Sequence, residues 1–475
     1  MRGIARNFAF GFAEKYLQAA LALASSIILA RLLSPSEIGI YSIAAVLTGL
    51  AQVFRDLGTG QLLVARRKLS AVEQRALLTI SIAMGWSLAL LVAVLAEPLA
   101  AFYRQPELEK VLRILALNFV LVPFSSQATA MLRREMRAGA LLAVSASYCA
   151  THFVATIAMA AIGLGPCALA WGSCAATFAG LLAALVRQPA GMAWRPGWLG
   201  VRALVRPGAL AVTGNAIDEI GVVAPDLVAG KLLGVEEVAL LGKAQSVLSL
   251  FNQAVTSAVS PVVFPLFAQQ AREGGDPLQA YISAAACMTA LSWPFFLFAG
   301  LFAEPIVALL YGHQWQGCVP LIRIMCGAAA LYSMFNMGRY LLVATGHIGE
   351  QARIDAVAVA GRLAMLLPAG LASLSWLAAA VALSLVLRSW LVLRSLRSLY
   401  GLQLATLARA LRQSALATGA AAVPALLVLA MSRNEALGVG HLLAAAGAGA
   451  IGWGLAIWLQ QHPLAGFLRR ACWQH

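Results

Sequence analysis

The residues of this 475-residue chain that could do chemistry are ionisable and amide side chains set inside long apolar runs. A charge at mid-bilayer costs roughly 2.5–3.5 kcal/mol on insertion scales, so such residues persist where they pair, line a wet space or bind something. The run near 208–230 is the richest. Asn215, Asp218 or Glu219, and Asp226 follow a three-to-four-residue step, which puts them on one helical face. Pro225 is expected to interrupt that helix and free a carbonyl beside Asp226. Gln245, Ser249, Asn252 and Thr256 form a second polar stripe, and Glu14, Gln18 and Ser25 a third. Thr48, Gln52 and Arg55 follow, then Asn336 with Arg339, and Asp355 with Arg362 seven residues later on the same face.

Such stripes imply a wet interior. Arginine there suits an anionic ligand, because its planar fork matches phosphate oxygens bidentately. Arg31, Arg55, Gln52, Gln245, Asn252, Arg339 and Arg362 are therefore the candidates for a cationic, polar substrate site. Asp218, Glu219 and Asp226 are the candidates for carrying H⁺ or Na⁺. A competing reading has Glu14, Lys15, Arg55 and Asp56 snorkelling near the ends of their runs, and Asp355 paired with Arg353. The seven Cys show no metal-knuckle spacing and the six His are scattered. No metal or other cofactor is expected.

The elements that must hold these residues follow from composition. The chain is 61% apolar and 11% charged, against about 45–50% and about 25% in soluble domains. Solubility and disorder are both excluded. The apolar runs are continuous rather than alternating, which excludes an outer-membrane barrel. They divide into fourteen spans between residues 12 and 460, the seventh near 208–230 and the eighth near 238–264. The fold class is an all-α polytopic membrane protein. Arg2, Arg6 and Lys15 before the run Leu17–Leu33 imitate a signal peptide. That run is long enough to span and another follows at once, so it reads as an uncleaved first helix. No connection exceeds about 25 residues, which leaves no room for a soluble catalytic domain.

Lys plus Arg total 34 and Asp plus Glu 19, a net charge of +15. With both termini in the cytoplasm, 24 basic residues fall on the cytoplasmic side and 8 outside, with Arg339 and Arg362 inside spans. That bias is the positive-inside pattern, and it accounts for the charge without nucleic acid.

The chain also repeats itself. Arg31-Leu32-Leu33-Ser34-Pro35-Ser36-Glu37-Ile38 lines up with Lys231-Leu232-Leu233-Gly234-Val235-Glu236-Glu237-Val238. Glu97-Pro98 with Tyr103 matches Glu304-Pro305 with Tyr311, and Leu112-Arg113-Ile114 matches Ile322-Arg323-Ile324. Parallel repeats of six spans are a signature of transporters whose halves rock about a central site. The expected division is 1–190 and 191–400 for two six-helix lobes, and 401–475 for two further helices, which look like an appendage, and a cytoplasmic tail.

These residues resemble a known family. Ala30-Arg31-Leu32-Leu33-Ser34-Pro35-Ser36-Glu37-Ile38-Gly39-Ile40-Tyr41 is similar to the opening signature of bacterial polysaccharide flippases of the Wzx type. So are Phe54-Arg55-Asp56-Leu57-Gly58, Gln61-Leu62-Leu63-Val64, Phe102-Tyr103 with Pro106-Glu107-Leu108, and Leu132-Arg133-Arg134-Glu135-Met136-Arg137. In the second half Asp226 to Gly234, Pro261 to Phe267 and Leu310 to Trp315 fit, and the likeness runs from about residue 4 to 350. Leu241 and Gly242 depart from the Gly-x-Tyr pattern seen at Gly39-Ile40-Tyr41. The resemblance implies the multidrug/oligosaccharidyl-lipid/polysaccharide exporter superfamily, with two six-helix lobes around a cavity, often with two extra C-terminal helices. It implies as cargo an isoprenoid diphosphate-linked oligosaccharide, flipped to the outer leaflet for exopolysaccharide, capsule or O-antigen (lipopolysaccharide) synthesis.

The expected partners are that lipid-linked oligosaccharide, membrane lipids, and the glycosyltransferases and polymerase of the same pathway, in the bacterial inner membrane. No bond is broken in such a cycle, so an enzyme is not expected. The alternatives are a cation-coupled multidrug antiporter of the same superfamily and, more remotely, a membrane polysaccharide polymerase or ligase. The charge count is checked by labelling a variant stripped of native cysteines with a membrane-impermeant maleimide in intact cells. A cysteine at Arg104 is expected to label at once and one at Arg353 only after permeabilisation; the reverse inverts the topology.

Overall fold

The computed structural model describes residues 2–56, 60, 63–64, 70–188, 192, 194–201, 219–431 and 438–465. Every regular element among them is helical. The first six helices are α1 (Arg2–Leu32), α2 (Pro35–Asp56), α3 (Ala71–Tyr103), α4 (Pro106–Arg134), α5 (Ala138–Ala161) and α6 (Pro166–Arg187). A helical stretch over 219–232, here α7, precedes α8 (Val235–Phe251). A π-turn at Asn252–Thr256 joins α8 to α9 (Ser257–Arg272), so the helical run is unbroken from Val235 to Arg272. Then come α10 (Pro277–Leu301), α11 (Ala303–Leu310), a 3₁₀ turn (His313–Cys318), α12 (Val319–Ser333) and α13 (Gly338–Ala344). The chain continues through α14 (Ile348–Ala372), α15 (Leu374–Tyr400), α16 (Leu404–Met431) and α17 (Val439–Leu459).

Helices are what hydrocarbon permits, because each peptide group must find its partner within the segment. Among the described residues twelve are long and apolar enough to cross a membrane, and they coincide with twelve of the fourteen expected spans. The chain is a multi-pass membrane protein. Of the remaining two, 208–230 lies partly outside the described residues, and 238–264 is the α8–α9 run with its π-turn. Pro225 lies within α7 and the helix continues through it, contrary to the expected interruption.

The helix starts are written into the sequence. Ser34 accepts from the Glu37 N–H at 3.3 Å while the Glu37 carboxylate accepts from the Ser34 N–H at 2.8 Å. This is a capping box, and Pro35 follows at the first helical position. Ser70 and Glu73 cap α3 the same way, and Asp276 caps α10 by accepting from Leu278 and Gln279 N–H. In the second copy of the repeat, Gly234 replaces the serine with φ +133°, a conformation glycine adopts without steric cost. The Ser-Pro-x-Glu stretch of the resemblance is therefore a helix-starting device.

The chain forms two compact units, Met1–Ala239 and Leu240–His475, dividing inside α8. The repeat places its lobe boundary earlier, at 190. In the first unit α5 packs on α1 and α6, and α3 packs along α4. Here too the two repeat junctions touch: an added Cβ on Gly39 would lie 1.8 Å from the Val235 carbonyl oxygen. In the second unit α10, α12 and α15 pack together, and α14 leans on α15.

The last two helices pack into the second unit. The Trp453 indole N–H donates to the Ala290 carbonyl at 2.7 Å. His462, beyond α17, is buried. Its Nδ1 accepts from the Leu464 N–H at 3.1 Å, which leaves Nε2 to donate to Ser414 Oγ at 3.1 Å. Ser414 donates to the Ala286 carbonyl at 3.0 Å. Burial holds the His462 imidazole below its ordinary pKa, which favours this neutral tautomer. Small residues at Ala290 and Ala417 let the helices close. Hydropathy registers apolar length but not this small-residue matching, which is why the pair looked peripheral in the sequence.

The Gly39 contact is testable. Gly39→Ala would force apart two backbones, an overpacking cost of typically 1–3 kcal/mol. Thermal unfolding of the purified protein should show that loss, while Gly49→Ala on the same helix, where a Cβ meets nothing within 4 Å, should leave the midpoint unchanged.

Candidate functional site

Polar side chains converge in the second unit, on α12 to α15. Asp355 of α14 is buried. It forms an ion pair with Arg388 of α15. Its other oxygen accepts from Gln351 Nε2 at 2.9 Å and lies 4.0 Å from Arg339 of α13. Two turns along α14, Arg362 donates from Nε to Ser384 Oγ at 2.9 Å. Ser384 and Arg388 are four residues apart on α15 and so share a face, which sets Arg362 beside Arg388. The Arg388 guanidinium lies 6.0 Å from the Tyr332 ring of α12.

The seven-residue spacing of Asp355 and Arg362 therefore does what the sequence implies: both reach α15 from one face of α14. The partner differs from the competing expectation, because Asp355 pairs with Arg388 and Arg339 rather than Arg353. Arg353 lies two residues before Asp355, about 200° around the helix at about 100° per step, so its exposed side chain points away from Asp355. Among the described residues, Asp355 is the carboxylate in ion-pair reach of Arg339 and Arg388. The described cluster thus holds three guanidinium groups and one carboxylate.

The other candidates are dispersed. Arg31 is exposed in the last turn of α1; on α2, Gln52 is exposed and Arg55 half-buried. Thr48 donates its hydroxyl to the Ala44 carbonyl at 2.8 Å. Glu14 accepts a hydrogen bond from Ser145 of α5. Glu219 and Asp226 are half-buried on α7, while Asn215 and Asp218 lie outside the described residues. On the α8 stripe, Gln245 is half-buried, Ser249 donates to the Ser246 carbonyl at 2.8 Å, and exposed Asn252 accepts from Thr256 at 3.1 Å.

Two cations were missed by the sequence reading. Arg388 was counted among cytoplasmic charges, although the apolar residues on both sides of it place it inside the span. Lys243 was counted as an outer-loop charge. It is 7% exposed on α8, with its ammonium 4.7 Å from the Tyr311 ring centroid and 5.2 Å from that of Trp315. Cation–π contact of this kind is worth more where water is excluded. Its signal was the pairing of a lysine inside an apolar helix with the Tyr-x₃-Trp spacing of the 310–315 motif.

The ion-pair assignment carries a prediction. Removing one partner of a buried pair costs about 3–5 kcal/mol, because the other charge is left uncompensated. Asp355→Asn and Arg388→Gln should each lower the unfolding midpoint in detergent, and the double variant should lose less than the sum. Arg353→Gln should change nothing; if it destabilises as much as Arg388→Gln, the pairing is misassigned.

Comparison with known proteins agrees with the fold. Residues 28–320 match the family described as polysaccharide biosynthesis protein. The chain is 25% identical over 403 residues to the succinoglycan biosynthesis transport protein ExoT of Rhizobium meliloti (strain 1021), covering 82% of this chain and 80% of that one. It is 20% identical over 312 residues to the teichuronic acid biosynthesis protein TuaB of Bacillus subtilis (strain 168), covering 63% of this chain. The match spans 62% of the length of TuaB. The lipid II flippase MurJ in an inward closed conformation superposes with a TM-score of 0.77, covering 97% of this chain and 100% of MurJ at 12% identity. With twelve membrane-length helices among the described residues, an arginine-rich cluster within them and a family match over most of its length, this chain belongs to the polysaccharide biosynthesis protein family.

Proposed function

We propose that this protein flips an isoprenoid diphosphate-linked oligosaccharide across the bacterial cytoplasmic membrane by alternating access, with both termini in the cytoplasm. The observation that carries the reading is the cluster of Arg339, Arg362 and Arg388 around Asp355 inside membrane helices of a polysaccharide biosynthesis family member. ExoT is named a transport protein of succinoglycan synthesis and MurJ a lipid II flippase, which supports the same class of cargo here.

In this reading Arg339 and Arg362 bind the diphosphate, and polar stripes such as Gln52, Gln245 and Asn252 contact the sugars. Arg388 stays committed to Asp355. The isoprenoid stays in the bilayer. Rocking of two helical lobes exposes the cargo first to one side and then to the other. A coupling ion, H⁺ or Na⁺, on Asp218, Glu219 or Asp226 biases the cycle, since a ligand shifts a conformational equilibrium only through differential affinity. No covalent bond changes, so the protein is a transporter rather than an enzyme. The glycosyltransferases and polymerase of an exopolysaccharide, capsule or O-antigen pathway supply and consume its cargo. A cation-coupled drug antiporter would favour an acidic site; the described cluster is cationic.

The test is flipping of a fluorescent lipid-linked oligosaccharide in proteoliposomes. Arg362→Gln should slow it roughly tenfold, the scale of one lost charge-assisted hydrogen bond. Asp226→Asn should abolish its response to an imposed ion gradient while the protein stays folded. Unchanged flipping in Arg339→Gln/Arg362→Gln would overturn the assignment of the cluster to the cargo.

A further inference from the structure

A second basic feature lies near the opposite end of the α14–α15 pair from the Arg362–Ser384 contact. A cleft of about 390 Å³ opens between the first turns of α14 and the last turns of α15. Glu350, Arg353 and Val357 line it from α14, at the three-to-four-residue steps that make one helical face. Trp390, Arg394 and Ser398 line it from α15, four residues apart and so also on one face. The cleft is a gap between two facing stripes.

Its chemistry is specific. The Arg394 guanidinium lies 5.8 Å from the centre of the Trp390 ring, which parks the charge on an aromatic face. Glu350 accepts a hydrogen bond from Ser395 at 2.7 Å. That bond ties the two helices at the cleft and occupies its carboxylate. Two guanidinium groups against one carboxylate leave a net positive lining with a forked donor geometry suited to phosphate. The lipid character comes from the surroundings. Trp390 is 52% exposed, Val357 43% and Leu399 42%, a strip of apolar surface running from the cleft along membrane-length helices. Tryptophan at this level of a span marks the headgroup region. The last turns of α15 and the first of α16 add Arg397, Arg409 and Arg412 at the same end.

We infer that this cleft holds the phosphate of an anionic phospholipid, with Arg353 and Arg394 on the phosphate and an acyl chain along Val357 and Trp390. Basic pockets between membrane helices take such headgroups, and each arginine near the surface is worth about fivefold in binding. The site is separate from the cargo cluster and does not depend on flipping.

Native mass spectrometry of the full chain, titrated with phosphatidylglycerol or phosphatidylethanolamine, reads it directly. The wild type should hold one phosphatidylglycerol in preference to phosphatidylethanolamine. Arg353→Gln/Arg394→Gln should weaken that retention roughly 25-fold. Glu350→Gln keeps an acceptor for Ser395 while removing the negative charge, so it should strengthen retention about fivefold, a gain that misfolding does not produce. Equal retention of the two lipids, or no change in either variant, overturns the site. Displacement of phosphatidylglycerol by an equal concentration of geranylgeranyl diphosphate would assign the cleft to the isoprenoid cargo and overturn it as well.

Discussion

A carboxylate inside a bilayer must find its counter-charge on another side chain, and Asp355 does so across three helices. Its bonds to Arg388 and Gln351 and its approach to Arg339 tie α13, α14 and α15. Once α14 is fixed against α15 at this level, Arg362 is fixed two turns along, on Ser384, and the Glu350–Ser395 bond closes the other side. The carboxylate thus sets the register of a helix pair that presents arginines at two levels. A buried ion pair is weak evidence for net stability but a strong selector of register, because slipping by one turn would leave both charges unmatched.

The same economy of interactions appears where the repeat units meet. The two matching junctions are helix starts, one built on the Ser34–Glu37 box and the other on Gly234 with its positive φ. They come together through bare backbone at Gly39 and Val235. Below them Lys231, the counterpart of Arg31, donates to the Phe102 carbonyl at 2.6 Å and lies 3.9 Å from the Phe102 ring. At the two junctions Ser34 caps its helix through a hydrogen bond, where Gly234 starts the next through its backbone conformation. Duplication supplied the scaffold, and the individual contacts have diverged.

The spans were legible in the sequence because apolar length is a one-dimensional property. The polar face of α14 was legible too, since a seven-residue step needs only helix geometry. Partners were harder. Asp355 sits two residues from Arg353 and thirty-three from Arg388, and nearness along the chain favours the wrong one. Pro225 was read as a break, but neighbouring helices can re-satisfy a freed carbonyl inside a bundle. The docking of α16 and α17 rests on Ser414 and Trp453 meeting α10 across more than a hundred residues, with His462 holding Ser414, and no local pattern announces it. For the arginine cluster, Arg339, Asp355 and Arg362 were legible in the sequence, but Arg388, the partner that ties Asp355 to α15, was not.

That docking has a consequence for biogenesis. Ala290 and Trp453 are 163 residues apart. At about 5–20 residues per second, the ribosome delivers the second roughly ten to thirty seconds after the first. During that interval α10 waits in the membrane with its small-residue flank uncovered. The insertion machinery or surrounding lipid must shield this surface until α16 and α17 have entered the membrane. The second unit is therefore closed only once α17 has been made, long after α10 has entered the membrane.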